Sequence, residues 1–250
     1  MFNNLSRVVV TGGNGRFANI IKKNLKKNFF FPSKKDLNIL SLISIEKYIK
    51  KIKPKIIIHA AGLSRPMEIH EKDINSSINL NIIGTANIVQ VCNKFNIKII
   101  YLSTTYVYPG KKGNYKEVDP ILPINNYAWS KLGGEASVQM YKNSLILRIC
   151  MTEKPFTHKK AISDLKTNFL YHDEVAKIIP YLLNFQGILN IGGKSQTPYK
   201  FAKNSGLKIR KISKNKTAFK HLKNISISTK KFRKLINFGG EKGIRTLDTL

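Results

Sequence analysis

The chain has 250 residues, 42% of them hydrophobic and 10% aromatic. That is enough for one domain of the larger kind, or a domain with a small appendage, around a sizeable core. No apolar run reaches the ~18 residues of a membrane span. Lys and Arg number 44 against 14 Asp and Glu, a formal charge of +30. The excess is Lys, spread with Asn and Ile along the whole chain, so it reads as a compositional bias and a solvated surface. The densest basic region, 199–234, keeps a nucleic-acid role open without favouring it, and a positive field suits anionic small substrates.

The chain opens directly on "RVVVTG" (7–12), which reads as a strand and not as a signal peptide. "FANIIKKNLKK" (17–27) has helical spacing, and "NFFF" (28–31) is a second short strand. "SLISIEKYIKKIK" (41–53) is a helix stopped by Pro54, followed by the buried strand "KIIIHAAG" (55–62). "INSSINLNIIGTANIVQVCNKF" (74–95) is one long helical stretch and "IKIIYLST" (97–104) a strand. A helix containing Tyr127 and Lys131 comes next, then the strand "SLILRIC" (144–150). The stretch 152–167 reads as a loop, 172–185 as a helix with Asp173 and Glu174 in its first turn, and 187–193 as a strand. The remainder is short and basic. Alternating β and α elements, with strands apolar throughout, predict an α/β fold: a Rossmann-type doubly wound parallel sheet with a small C-terminal substrate-binding region. Cys92 and Cys150 both lie in apolar runs and are expected as buried free thiols. A soluble cytoplasmic protein is expected, with no membrane partner and a homodimer left open. The five histidines lack metal-ligand spacing, so no metal is expected.

"TGGNGRFA" (11–18) follows the first strand and opens the first helix. Gly12 permits a tight turn, Gly15 a close approach to a pyrophosphate, and Ala18 the packing of helix on strand. The helix N-terminus offers free N–H groups to phosphate. An NAD site usually carries an acid about 20 residues on, at the end of the second strand. Here "FPSKK" (31–35) stands instead, with no acid before Asp36. Ser33, Lys34 and Lys35 are candidates for a 2′-phosphate, so NADP(H) is preferred and NAD(H) kept as the alternative.

Taken with "DLNI" (36–39), "IIIHAAG" (56–62), "NIIGT" (81–85), "YLSTTYVYPG" (101–110), "NNYAWSKLGGE" (125–135) and "NFLYHDEVAKII" (168–179), the glycine loop resembles an extended short-chain dehydrogenase/reductase. The branch it most resembles is the dTDP-4-dehydrorhamnose reductases among the sugar-nucleotide enzymes, over about 7–200. The resemblance implies reduction of a nucleotide-linked keto-sugar, with catalytic roles on Thr104, Tyr127 and Lys131. A free tyrosine titrates near ~10. Lys131, one turn on and on the same helix face, favours the phenolate, so that Tyr127 exchanges a proton with the substrate carbonyl. Thr104 would hold that oxygen. Cofactor contacts are implied for Gly12, Gly15, Arg16, Phe17, Ser33, Lys34, Lys35, Asn38, Ala60, Ala61, Gly62, Tyr127 and Lys131. Asn38 reads equally as a turn residue, and Asn81 as a structural amide. Substrate contacts are implied for Ser64, Arg65, Thr104, Thr105 and His158, the last beside Lys159 and Lys160 in a substrate loop.

Two departures matter. Thr105 stands where related enzymes often carry an acid, which argues against dehydration, and the substrate region is short. An epimerase on the same fold, and a non-catalytic NADP-binding or nucleic-acid-binding protein, remain as alternatives. The expected division is 1–151 for the NAD(P)-binding domain and 152–238 for a reduced substrate region with elements returning to the core. The stretch 239–250 is expected to be a disordered tail, since "GGEKGIRTLDTL" resembles a reading frame running into a transfer-RNA gene.

Overall fold

The computed structural model describes residues 6–25 and 27–239. The expected tail lies outside these, apart from its first residue. The elements run β1 (Val8–Val10), α1 (Arg16–Asn24), β2 (Phe29–Phe30), α2 (Leu42–Ile52), β3 (Ile56–His59), α3 (Ile69–Lys72), α4 (Ile74–Ser77), a π-helical segment (Ile78–Ile83), α5 (Gly84–Phe95) and β4 (Lys98–Thr104). After a 3-10 turn at Thr105–Val107 come α6 (Asn126–Gln139), β5 (Ser144–Ile149), β6 (Met151–Thr152), β7 (Lys160–Ile162), β8 (Leu170–Tyr171), α7 (His172–Leu182), β9 (Gly187–Ile191), α8 (Pro198–Asn204), β10 (Arg210–Ile212) and α9 (Lys230–Gly239). Two compact units emerge: 6–103, 125–147 and 182–188 in the first, and 104–124, 148–181 and 189–239 in the second.

The six-stranded sheet has the order β2-β1-β3-β4-β5-β9, with β1 parallel to β2 and β3, and β3 parallel to β4. The chain steps from β1 to β2 on one side, then returns to lay β3 on the other. That reversal opens a crevice beyond the carboxyl ends of β1 and β3, where open α/β sheets bind ligands. The strands are buried on both faces, as their unbroken apolar runs predict. Val9, Ile57, Ile99 and Ile146 from the sheet pack with Ile45 and Ile49 of α2 and Ile88, Val91 and Cys92 of α5. Each such side chain contributes about 1.5–3 kcal/mol of burial. Cys92 and Cys150 are free and buried, and burial pushes the Cys92 thiol up.

The helix expected over 74–95 is broken by the π-helical turn at Ile78–Ile83. The widened turn carries Asn81, whose side-chain amide bonds Leu63 and Ser130. Those bonds offset the poorer geometry of such a turn, which recurs at functional sites.

In the second unit, 152–167 is not wholly a loop: β7 pairs in parallel with β10, Ala161 opposite Lys211. Three residues are too few to show a period, and the partner lies about fifty residues on. Phe156, Ala161, Tyr171, Phe201 and Ala202 form an apolar cluster there. The fully buried Arg148 donates to the Tyr108 hydroxyl, which in turn donates to Asn190. No helix among the described residues is long and apolar enough to cross a membrane.

Candidate functional site

The turn from β1 into α1 is shaped by two glycines. Gly12 has φ +70°, and a Cβ there would lie 2.9 Å from Ala61 Cα. At Gly13 a Cβ would run into the carbonyl oxygens of Phe31 and Pro32, because Gly13 N–H donates to Pro32 O at 2.9 Å. The requirement for Gly13 comes from the end of β2, which no local pattern in the sequence reveals. Helix α1 starts at Gly15 with no side-chain cap and no acid in its first turn. Its first N–H groups and positive end are therefore available to an anion. Arg16 stands at this end, whereas the Phe17 side chain is buried, leaving Phe17 only its main chain to offer.

Beside the turn lies a cavity of about 690 Å³ lined by Asn14, Ser33, Lys34, Lys35 and Asn38. Both the N–H and the hydroxyl of Ser33 donate to Asp36 Oδ2, at 2.9 and 2.7 Å. These bonds hold the Asp36 carboxyl below its usual range. With the Ser33 proton spent on Asp36, the cationic side of the cavity rests on Lys34 and Lys35. Asn38 serves its turn: Oδ1 accepts from Leu40 N at 3.1 Å. The glycine turn, the uncapped helix and a cavity with two lysines fit a dinucleotide bearing an extra phosphate.

Across the crevice, Ala60, Ala61 and Gly62 follow β3. Gly62 has φ +153°, and a Cβ there would fall 2.7 Å from Asn81 Oδ1. Asn81 clasps the next residue from both sides, accepting from Leu63 N at 2.7 Å and donating to Leu63 O at 2.9 Å. Ser64, one residue on, accepts from Arg16 Nη2 at 3.2 Å, which joins the loop containing Arg65 to the glycine turn.

Helix α6 begins at Asn125, whose Oδ1 accepts from Ala128 N at 2.9 Å. Tyr127, half-buried, and Lys131, 8% exposed, share one face of it. The Lys131 ammonium lies 4.1 Å from the centroid of the Tyr101 ring, and the Tyr101 hydroxyl donates to Lys131 O. Burial draws the ammonium down from 10.5 to about 7, opposed by the Glu135 carboxylate one turn further on. Lys131 is therefore divided between charged and neutral forms at neutral pH. Glu135 is wholly buried and accepts from Ser103 Oγ at 2.7 Å. The i, i+4 spacing of this carboxylate from Lys131 is visible in the sequence, but its burial is not.

Two histidines in the same unit also went unnoticed. The ring of His70, wholly buried on α3, meets that of Tyr127 edge-on with centroids 5.1 Å apart. Glu71 accepts from both the N–H and the side chain of Asn126, fastening α3 to the start of α6. His59, at the end of β3, sits between Thr11 Oγ1 at 2.8 Å and Thr85 Oγ1 at 3.1 Å. Burial first, and the charge of Lys131 second, push His59 down to about 3.

Three expected site residues fall in the second unit. Thr104 Oγ1 accepts from Tyr106 N at 3.2 Å, leaving its own proton to donate. Thr105 is 1% exposed and its hydroxyl has no hydrogen-bond partner. His158 is exposed and lies edge-on to Phe156. Among the described residues, no group of three or more His, Cys, Asp or Glu could hold a metal ion.

Residues 6–152 match the family described as the RmlD substrate binding domain. The chain is 29% identical over 154 residues to methionine adenosyltransferase 2 subunit beta of Xenopus laevis, covering 57% of this chain and 46% of that protein. It is also 29% identical over 154 residues to dTDP-4-dehydrorhamnose reductase of Aggregatibacter actinomycetemcomitans, covering 59% and 52%. The chain thus spans about half the length of the curated relatives it matches. The fold superposes on a dTDP-4-dehydrorhamnose reductase from Bacillus anthracis, solved in complex with NADP, with a TM-score of 0.81 at 22% identity over 92% of each chain.

Proposed function

Because the chain belongs to the RmlD substrate binding domain family, we propose that it is an NAD(P)H-dependent reductase of a nucleotide-linked keto-sugar, dTDP-4-dehydrorhamnose reductase-like, with Tyr127 as proton donor. The observation that carries this reading is the pairing of Tyr127 with a buried Lys131 on one face of α6. Lys98 is as buried and is likewise drawn down, so burial alone does not mark Lys131; its place one turn from Tyr127 on the same helix face does.

A bound nicotinamide dinucleotide supplies the hydride. Gly12, Gly15 and the uncapped start of α1 take its diphosphate. Lys34 and Lys35 favour a 2′-phosphate, hence NADP(H) over NAD(H). Tyr127 gives its phenolic proton to the substrate carbonyl oxygen, and the charged fraction of Lys131 favours the phenolate left behind. Thr104 has a hydroxyl proton to offer a substrate oxygen. Arg16, joined to Ser64, stays with the cofactor; Arg65 is the cation proposed to meet the substrate diphosphate, with Ser64, Thr105 and His158 as lesser substrate candidates. A homodimer is proposed, with Trp129 of α6, 52% exposed, as a candidate contact; sedimentation tests it.

A second reading has one observation behind it: several matched relatives are called a subunit of methionine adenosyltransferase. In that case the chain would bind the dinucleotide without turnover, as part of another protein's assembly. A panel of nucleotide-linked keto-sugars, followed at the absorbance of reduced nicotinamide, separates the two. Net oxidation also sets the reductase apart from an epimerase, which returns its cofactor unchanged.

A further inference from the structure

The Thr11 hydroxyl oxygen accepts two main-chain donors, Ala60 N at 3.1 Å and Ala61 N at 3.0 Å. Both of its lone pairs are then occupied, and its proton has one remaining destination, Nδ1 of His59. A nitrogen that accepts carries no proton, so the neutral His59 ring must be protonated at Nε2. That N–H points to Thr85 Oγ1, and the Thr85 hydroxyl passes its own proton to Asn81 O at 2.7 Å. Asn81 in turn donates from Nδ2 to Ser130 Oγ at 2.8 Å, and Ser130 Oγ donates to the carbonyl of Tyr127 at 2.8 Å. Two peptide N–H groups, which cannot reverse, settle the polarity from Thr11 to the Asn81 carbonyl, and the two bonds of the Asn81 side chain to Leu63 settle which of its ends faces Ser130.

We propose that His59, held as the Nε2–H tautomer, is a positioning residue that fixes the Ala60–Ala61 edge against the glycine turn and, through Thr85, Asn81 and Ser130, fixes the main chain of Tyr127. The inference rests on the reductase reading for what the two ends do: one faces the cofactor, the other bears the proton donor. Every polar atom of the His59 ring is satisfied, and the residue is wholly buried, so the network costs little while complete and much when broken. A second ring proton would face a Thr11 oxygen whose lone pairs are taken. Lys131 is the charged group that acts on the ring, and the Tyr101 ring stacks 5.8 Å away. Burial and the Lys131 charge disfavour the imidazolium, and the weak pull of the Tyr101 ring face does not offset them.

The test has two arms. Nitrogen-15 NMR of the full chain labelled at histidine reads the tautomer without substrate. We expect a His59 ring with a protonated Nε2 and a bare Nδ1, unchanged between pH 8 and pH 5 on the scale of the ordinary histidine midpoint of about 6.5. A proton on Nδ1, or titration within that range, overturns the proposal. The second arm measures NADPH affinity by fluorescence in the wild type, Thr11→Val and Thr11→Ser. Thr11→Val takes away the donor to Nδ1, and we expect about tenfold weaker binding, with Thr11→Ser within about threefold of wild type. Equal affinity in all three overturns the positioning role even with the tautomer as drawn. If the tautomer is as drawn and the wild type binds no dinucleotide, the reductase reading fails, and the cofactor half of the proposal fails with it.

Discussion

The ammonium of Lys131 rests over the ring of Tyr101, 4.1 Å from its centroid, in a place water scarcely reaches. The contact returns part of the solvation lost on burial, because the face of the ring is negative. It does not return all of it, since the group is drawn down to about 7.

The residue should therefore weaken the fold it serves. Between about pH 7 and 10.5 the unfolded chain binds a proton at this position that the folded chain gives up. Stability should rise with pH across that window, and the burden is full below pH 7. Lys131→Met combined with Glu135→Gln, which leaves no carboxylate buried without its cation, should raise the melting temperature at pH 6.5 and flatten the rise toward pH 10, while abolishing turnover. A variant less stable than wild type at pH 6.5 would contradict the burial argument.

The same proton should appear in the kinetics. In the reductive direction kcat/KM should decline as pH passes above about 7, where Lys131 loses the charge proposed to assist Tyr127. A profile flat from pH 6 to 9 would show that the ammonium takes no part.

Cofactor choice should follow the cavity. Replacing both Lys34 and Lys35 by Ala should weaken NADPH about tenfold or more and NADH by less than about twofold, because only the former carries a 2′-phosphate. Ser33→Ala should matter less, since its hydroxyl is given to Asp36. Dissociation constants from fluorescence titration check both statements.

Gly13→Ala should destabilise the protein by about 2–4 kcal/mol. The added methyl would meet main-chain oxygens of Phe31 and Pro32, which cannot swing aside as a side chain would. Urea unfolding of the two proteins measures the difference.

Much of this was legible in the sequence. Apolar strands alternating with amphipathic helices gave the parallel sheet, and "TGGNGRFA" between strand and helix gave the glycine turn. The Tyr127–Lys131 spacing gave the shared face of α6, because it depends on nothing beyond helical geometry. What escaped was whatever depends on distant partners. The need for Gly13 comes from Pro32, the pairing of β7 comes from β10, and the break at Ile78–Ile83 comes with the clasp of Asn81 on Leu63. His59 and His70 were hidden for the same reason: a lone histidine, whether in the apolar run of β3 or among the charged residues of α3, shows neither its burial nor its neighbours. The lowered pKa of Lys131 was not legible, because burial is a property of the packed fold and not of the motif.

The most direct test is the rate of NADPH oxidation, followed by absorbance, with a dTDP-linked 4-keto-6-deoxy sugar, for the wild type and Tyr127→Phe. The account predicts turnover by the wild type, a loss of at least about a hundredfold in kcat for the variant, and an NADPH dissociation constant within about threefold of wild type. A variant that turns over at the wild-type rate would contradict it, as would a wild type that binds NADPH and oxidises none with any keto-sugar nucleotide offered.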